Sequence, residues 1–116
     1  MLTIAQFRAL ALALPGTTEG AHMDHPDFRT NGRIFATLHP DGLRGMVKLT
    51  PEQQCVRCKA VATFFTPASG AWGRQGCTIV DLAAADRTMV TAALTDAWQN
   101  AQAMAKPKSS RAKKRS

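Results

Sequence analysis

Two dipeptides constrain this chain more than any other feature: Asn31-Gly32 and Asp41-Gly42, each set between stretches of strand-like sequence. Asn, Asp and Gly tolerate the positive φ angles of a tight hairpin, so each pair marks a place where one strand turns back beside the next. Read with a period of two, Arg33 to His39 puts Ile34, Ala36 and Leu38 on one face, and Leu43 to Leu49 puts Leu43, Val47 and Leu49 on the matching face of its neighbour. The other face then carries Arg33, Phe35, Thr37 and His39 beside Arg44, Met46 and Lys48. Glu19 to Met23 and Phe28 to Thr30 are fainter strand signals ahead of this antiparallel meander.

Helical patterns surround it. Thr3 with Gln6 reads as a capping box and Leu2 with Phe7 as a hydrophobic staple, so a helix should begin at Ile4 and end before Pro15-Gly16. Ile4, Phe7, Leu10, Ala11 and Leu14 would form its buried stripe. Thr50-Pro51-Glu52-Gln53 opens a second helix running to about Val61. Gly70, Gly73 and Gly76 predict a loop around Trp72, packed over the core, followed by a β-branched strand from Cys77 to Leu82. Asp86 caps a long helix whose Val90, Ala93, Leu94, Ala97, Trp98 and Ala101 face the sheet. The fold class is therefore α+β, an antiparallel β-sheet meander with helices packed on one face and the other face open.

The net charge of +7 is unevenly placed: six of the fifteen basic residues follow Ala105, whereas residues 1–105 hold nine basic and eight acidic groups. This divides the chain into one domain over 1–105 and a basic tail over 106–116, too poor in apolar residues to offset the entropy of ordering. No apolar run is long enough to span a bilayer, the N-terminus lacks a signal-peptide pattern, and an odd cysteine count of three suits a reducing compartment. A cytoplasmic protein that does not engage membranes is expected.

The string His25-Pro26-Asp27-Phe28-Arg29, followed by Gly32-Arg33-Ile34-Phe35-Ala36-Thr37-Leu38, resembles the signature of the MmcQ/YjbR family of small bacterial proteins. Val47 to Gln54, Gly70 to Gly76 and the Asp86 helix ending near Trp98 resemble the same family in the same order, so the likeness covers roughly residues 2–101. It implies a CyaY-like α+β fold and a role in DNA binding through β-hairpin wings, with no catalytic residues. The chain departs from the family at Cys77, where an aromatic is usual, and at Cys55 and Cys58, in a helix otherwise rich in Ala and Leu.

Other constellations have plainer readings. Cys55 and Cys58 have metal-ligand spacing, with Cys77 and one of His22, His25 or His39 as further donors; but a second close pair is missing, and the pair begins inside a helix and not at its N-terminus as a redox pair would, so small helical residues are expected over a metal site or a redox pair. His22-Met23-Asp24-His25-Pro26-Asp27 gathers imidazoles and carboxylates, for which turn chemistry is expected over a metal or acid-base site. Gly70 to Gly76 could bring backbone amides close to a phosphate, with Arg74 adding charge and Trp72 a stacking surface, but the packed loop is the expected reading; the segment matches neither a Walker loop nor a dinucleotide fingerprint, and no Gly-x-Ser-x-Gly elbow occurs.

These features converge on a non-enzymatic DNA-binding protein with no cofactor and no metal. Arg29, Arg33, Arg44, Lys48 and Arg74 would meet nucleic acid from the domain, and Lys113, Lys114 and Arg115 from the tail. The same cations on a merely solvated face are the bland reading. The functional alternative is a protein- or small-ligand-binding module that docks its partner on Phe35 and Met46 of the open face.

Overall fold

The Thr3 hydroxyl accepts from the Gln6 N–H at 3.1 Å while the Gln6 carboxamide accepts from the Thr3 N–H at 2.9 Å. This reciprocal cap starts α1 (Ile4–Leu12). The chain is described by a computed structural model over residues 2–22, 25–39 and 41–105. Both staple residues, Leu2 and Phe7, end in the core, and the Leu2 N–H donates to the Leu82 carbonyl at 2.8 Å. The buried stripe is narrower than its spacing predicts, because Ile4 stays 40% exposed while Leu10 and Leu14 are half-buried.

Four strands then run as a meander: β1 (Thr18–His22), β2 (His25–Thr30), β3 (Arg33–Leu38) and β4 (Arg44–Lys48). The β2–β3 turn has φ of 54° at Asn31 and 76° at Gly32, which only such a pair supplies cheaply. After α2 (Pro51–Ala60), the short β5 (Phe65–Pro67), α3 (Gly70–Arg74) and β6 (Cys77–Asp81), the chain closes with α4 (Arg87–Ala105). All neighbouring strands are antiparallel and the sheet order is β1-β2-β3-β4-β6-β5. The Met89 N–H donates to the Asp86 carboxylate at 3.0 Å, the cap expected for the last helix.

Helix α4 lies across β2, β3 and β4, and α1 packs on α4, so one sheet face is covered. Between them sit Phe7, Phe28, Phe35, Leu38, Val47, Phe65, Val80 and Leu94, all essentially without solvent contact. Each such side chain contributes about 1.5–3 kcal/mol by leaving water. An Arg57–Asp96 ion pair at 2.6 Å ties α2 to α4. Trp98 is only half-buried: its indole N–H donates to the Pro15 carbonyl at 2.9 Å, joining the end of α1 to α4.

The period-two reading of β3 fails at one residue. Phe28 is opposite Ala36 and Arg29 opposite Ile34, so Phe35 has no partner in β2 and forms a β-bulge. An extra residue in one strand lets two successive side chains turn the same way, and Phe35 and Ala36 are both fully buried. Phe35 therefore belongs to the core and not to the open face, while Ile34 moves to the open side opposite Arg29. Leu43 is also misplaced by the alternation: it precedes β4 and is 65% exposed, and the inward face of β4 begins at Gly45, packed against the Phe7 ring. Among the described residues no helix is long and apolar enough to cross a membrane.

Candidate functional site

The bulge that buries Phe35 also opens the sheet. β3 and β4 pair from Ala36↔Val47 to Leu38↔Gly45, whereas β4 continues beside β6 as far as Lys48↔Cys77. Bulged strands bend, so the start of β3 leaves Lys48 behind. The resulting notch has a volume of about 500 Å³, with Ala97, Asn100 and Ala101 of α4 behind it and Arg29, Arg33, Ile34, Lys48 and Thr50 around it. Three cations and no carboxylate line it. Its corner is fixed: the Gln53 carboxamide oxygen accepts from the Thr50 N–H at 3.0 Å and from the Asn100 amide at 2.8 Å, locking the α2 cap onto α4.

The three cations differ in what already holds them. Arg29 makes two hydrogen bonds to the fully buried Asp27 carboxylate, at 2.8 and 3.1 Å, which first by hydrogen bonding and then by charge raise its pKa above the ordinary guanidinium value. The sequence places Asp27 in turn chemistry and gives no sign of its pairing with Arg29 except that an acid and a base stand two residues apart on one strand face. Arg33 is opposite Thr30, whose hydroxyl accepts from Gln102 of α4 at 2.7 Å. It therefore starts from the helix-covered side instead of the open face assigned to it, yet is exposed at the rim of the notch. Among the described residues neither Arg33 nor Lys48 has a carboxylate partner.

Arg44 is placed elsewhere. It lines a second depression of about 580 Å³ on the open face, with Thr37, His39, Met46, Trp72, Ile79 and Asp81. Its guanidinium is held by Asp41 at 2.8 Å and faces Asp81 across the β4–β6 pairing. The Leu43 N–H and then Arg44 lower the Asp41 pKa below the usual carboxylate value. Arg74 ends α3, is exposed, has no ionic partner among the described residues and lines neither depression. Lys113, Lys114 and Arg115 lie outside the described residues.

Between notch and groove stands Trp72, and here the expected core-covering loop is corrected twice. Gly70–Arg74 is a five-residue helix, and Trp72 is 63% exposed. Its mount is tight: a Cβ at Gly73 would come within 1.8 Å of the Ala68 carbonyl oxygen, and at Gly76, where φ is +109°, within 1.9 Å of that of Leu49. The Gln54 amide donates to the Gly73 and Cys77 carbonyls, both at 2.9 Å. The backbone of α3 is thus pressed onto the sheet end at Gly73, while the Trp72 side chain stands outward. Lys48 Nζ lies 5.8 Å from the centre of that ring, within cation–π range.

The cysteines do not converge. Cys55 is exposed and Cys58 half-buried on α2, and Cys77 is buried in β6. Burial pushes the Cys77 thiol up, and burial followed by the charge of Cys55 does the same for Cys58, away from the thiolate form that nucleophiles and metal ligands need. Among the described residues no three His, Cys, Asp or Glu side chains are grouped to hold a metal. His22 and His25 pair through the β1–β2 backbone, while Met23 and Asp24 lie outside the described residues.

Comparison with known proteins places this architecture. No curated protein matches the chain. A Deinococcus radiodurans protein with a DUF419 domain, known from its crystal structure, is similar in fold, with a TM-score of 0.70 and 20% identity over 84% of this chain and 77% of its own. The YjbR family model matches residues 12–100, which include every residue lining the notch but Ala101 and every residue lining the groove. A match over that span, from the end of α1 to the later turns of α4, makes the chain a member of the YjbR family.

Proposed function

We propose that this protein is a non-enzymatic nucleic-acid-binding protein whose favoured ligand is DNA, and that the notch is where its folded domain meets phosphate. The observation that carries the reading is a lining with Arg33 and Lys48, neither paired with a carboxylate among the described residues, beside an Arg29 that Asp27 already holds. Uncompensated cations in a partly enclosed cleft attract phosphate more strongly than the same charges on a flat surface, because low-dielectric walls concentrate their field. Arg33 supplies a planar fork for phosphate oxygens and Lys48 a point charge. Arg29, already held by Asp27, positions more than it attracts. The basic tail adds contacts that depend on charge alone.

The rival, a module that docks a protein or small ligand on the open face, loses Phe35 to the core and keeps Met46, Ile79 and Trp72 of the groove. One titration separates the two. In the full chain, Arg33→Ala with Lys48→Ala should weaken duplex DNA binding and lower the slope of log affinity against log salt by about two, near one for each phosphate that is no longer neutralised. An unchanged slope would leave binding to the tail alone and favour the docking module.

A further inference from the structure

We propose that Trp72, Lys48 and the adjoining notch hold a single strand of nucleic acid, with one unpaired base stacked on the indole and its flanking phosphates met by Lys48 and Arg33. This rests on the nucleic-acid reading above and adds the form of strand that the domain prefers.

The chain is sparing with aromatic surface. All five Phe are buried and Trp98 is half-buried with its N–H satisfied, so Trp72 is the large aromatic left in water. Its exposure does not come from a loose loop, since Gly73, Gly76 and Gln54 fix α3 against the sheet end. An indole carried on a fixed backbone beside a cation suits a stacking platform, because little backbone order has to be imposed when a base arrives. Inside a duplex both faces of every base are already stacked, so an external indole reaches a base face only where the base is unpaired.

The surroundings suit one nucleotide and its neighbours. The groove beside Trp72 has about 580 Å³ and carries hydroxyls from Thr37, Thr66 and Ser69 that can meet base edges. Cys77 lines both depressions, so groove and notch meet at β6, with Lys48 beside Cys77 on the neighbouring strand. A strand crossing there would leave a base over the indole and carry its phosphates toward Arg33.

The test uses the full chain with an oligothymidine single strand and a duplex of equal phosphate count, at several salt concentrations. The single strand should bind more tightly, quenching indole emission. Trp72→Ala should weaken single-strand binding roughly tenfold and change duplex binding less than about twofold, since stacking is removed and charge is not. Trp72→Phe should retain most of the affinity while losing the quenching. Equal losses on both ligands, or no loss on either, would overturn the stacking role and leave the phosphate reading intact. If Arg33→Ala with Lys48→Ala also leaves both affinities unchanged, the phosphate reading falls with it.

Discussion

The notch and the groove meet at Cys77 and are similar in volume, about 500 and 580 Å³, yet they treat charge in opposite ways. The groove lies where β4 and β6 keep unbroken register, which sets Arg44 opposite Asp81, and Asp41 takes hold of Arg44 from the turn. In the notch a bulge breaks the register of β3, and among the described residues Arg33 and Lys48 have no carboxylate partner. Regular pairing tends to bring opposite charges together, because cross-strand neighbours interact directly. A place that must attract an anion is easier to build where pairing stops. Counting cations along a strand thus overstates the groove, and only the partners show which cations are available.

The corner between the two depressions, at the end of β4, should respond most strongly to substitution. Gly76→Ala would force a side chain into a left-handed backbone conformation and against the Leu49 carbonyl, at a combined cost of about 4 kcal/mol. Urea unfolding should show that loss. A loss below about 1 kcal/mol would mean that the end of β4 and α3 can part, and that Trp72 is less firmly mounted than its packing implies.

Next comes the division of charge between domain and tail. Removing residues 106–116 takes away six cations, so the slope of log affinity against log salt on random duplex DNA should fall by as much as ~5, at about 0.9 per phosphate neutralised. A residual slope near two would belong to Arg33 and Lys48. If the truncated chain, still folded by circular dichroism, binds nothing at low salt, the contrast between notch and groove has no bearing on nucleic acid.

Much of the frame was legible because its signals are local. Capping boxes at Thr3 and Thr50, the Asn31-Gly32 turn and the Asp86 cap each lie within a few residues and form as their chemistry requires. The notch was not legible, because it depends on one extra residue in β3. Three successive apolar residues, Ile34, Phe35 and Ala36, inside an otherwise alternating strand were the only hint, and alternation alone assigns them to the wrong sides. Trp72 departs from the sequence pattern for a different reason: glycine spacing suggests a loop, while the constraint on Gly73 and Gly76 comes from the Ala68 and Leu49 carbonyls packed against them. Asp27 and Asp41 decide which arginines are available, and such pairings are visible only once the strands are laid side by side.

The two arginines, one in each depression, separate notch from groove most directly. Arg33→Ala should remove about one unit of salt slope, whereas Arg44→Ala should remove much less, because Asp41 already neutralises Arg44 at 2.8 Å. Asp41→Asn then gives the complementary change: its carboxamide oxygen still accepts from the Leu43 N–H, so the turn survives, while Arg44 loses its ion-pair partner, keeping only Asp81 opposite it, and affinity should rise about twofold. The sign with pH follows from the same pair. Asp41 has a folded pKa below its unfolded one, so its contribution to stability is present above the unfolded value and disappears as pH falls through the folded value. Arg44 consequently stays neutralised throughout the neutral range, and acidification into that lower window should mimic Asp41→Asn. Equal reductions in slope from Arg33→Ala and Arg44→Ala would show that surface pairing does not govern which cations bind, and the distinction between the two depressions would collapse to one of shape.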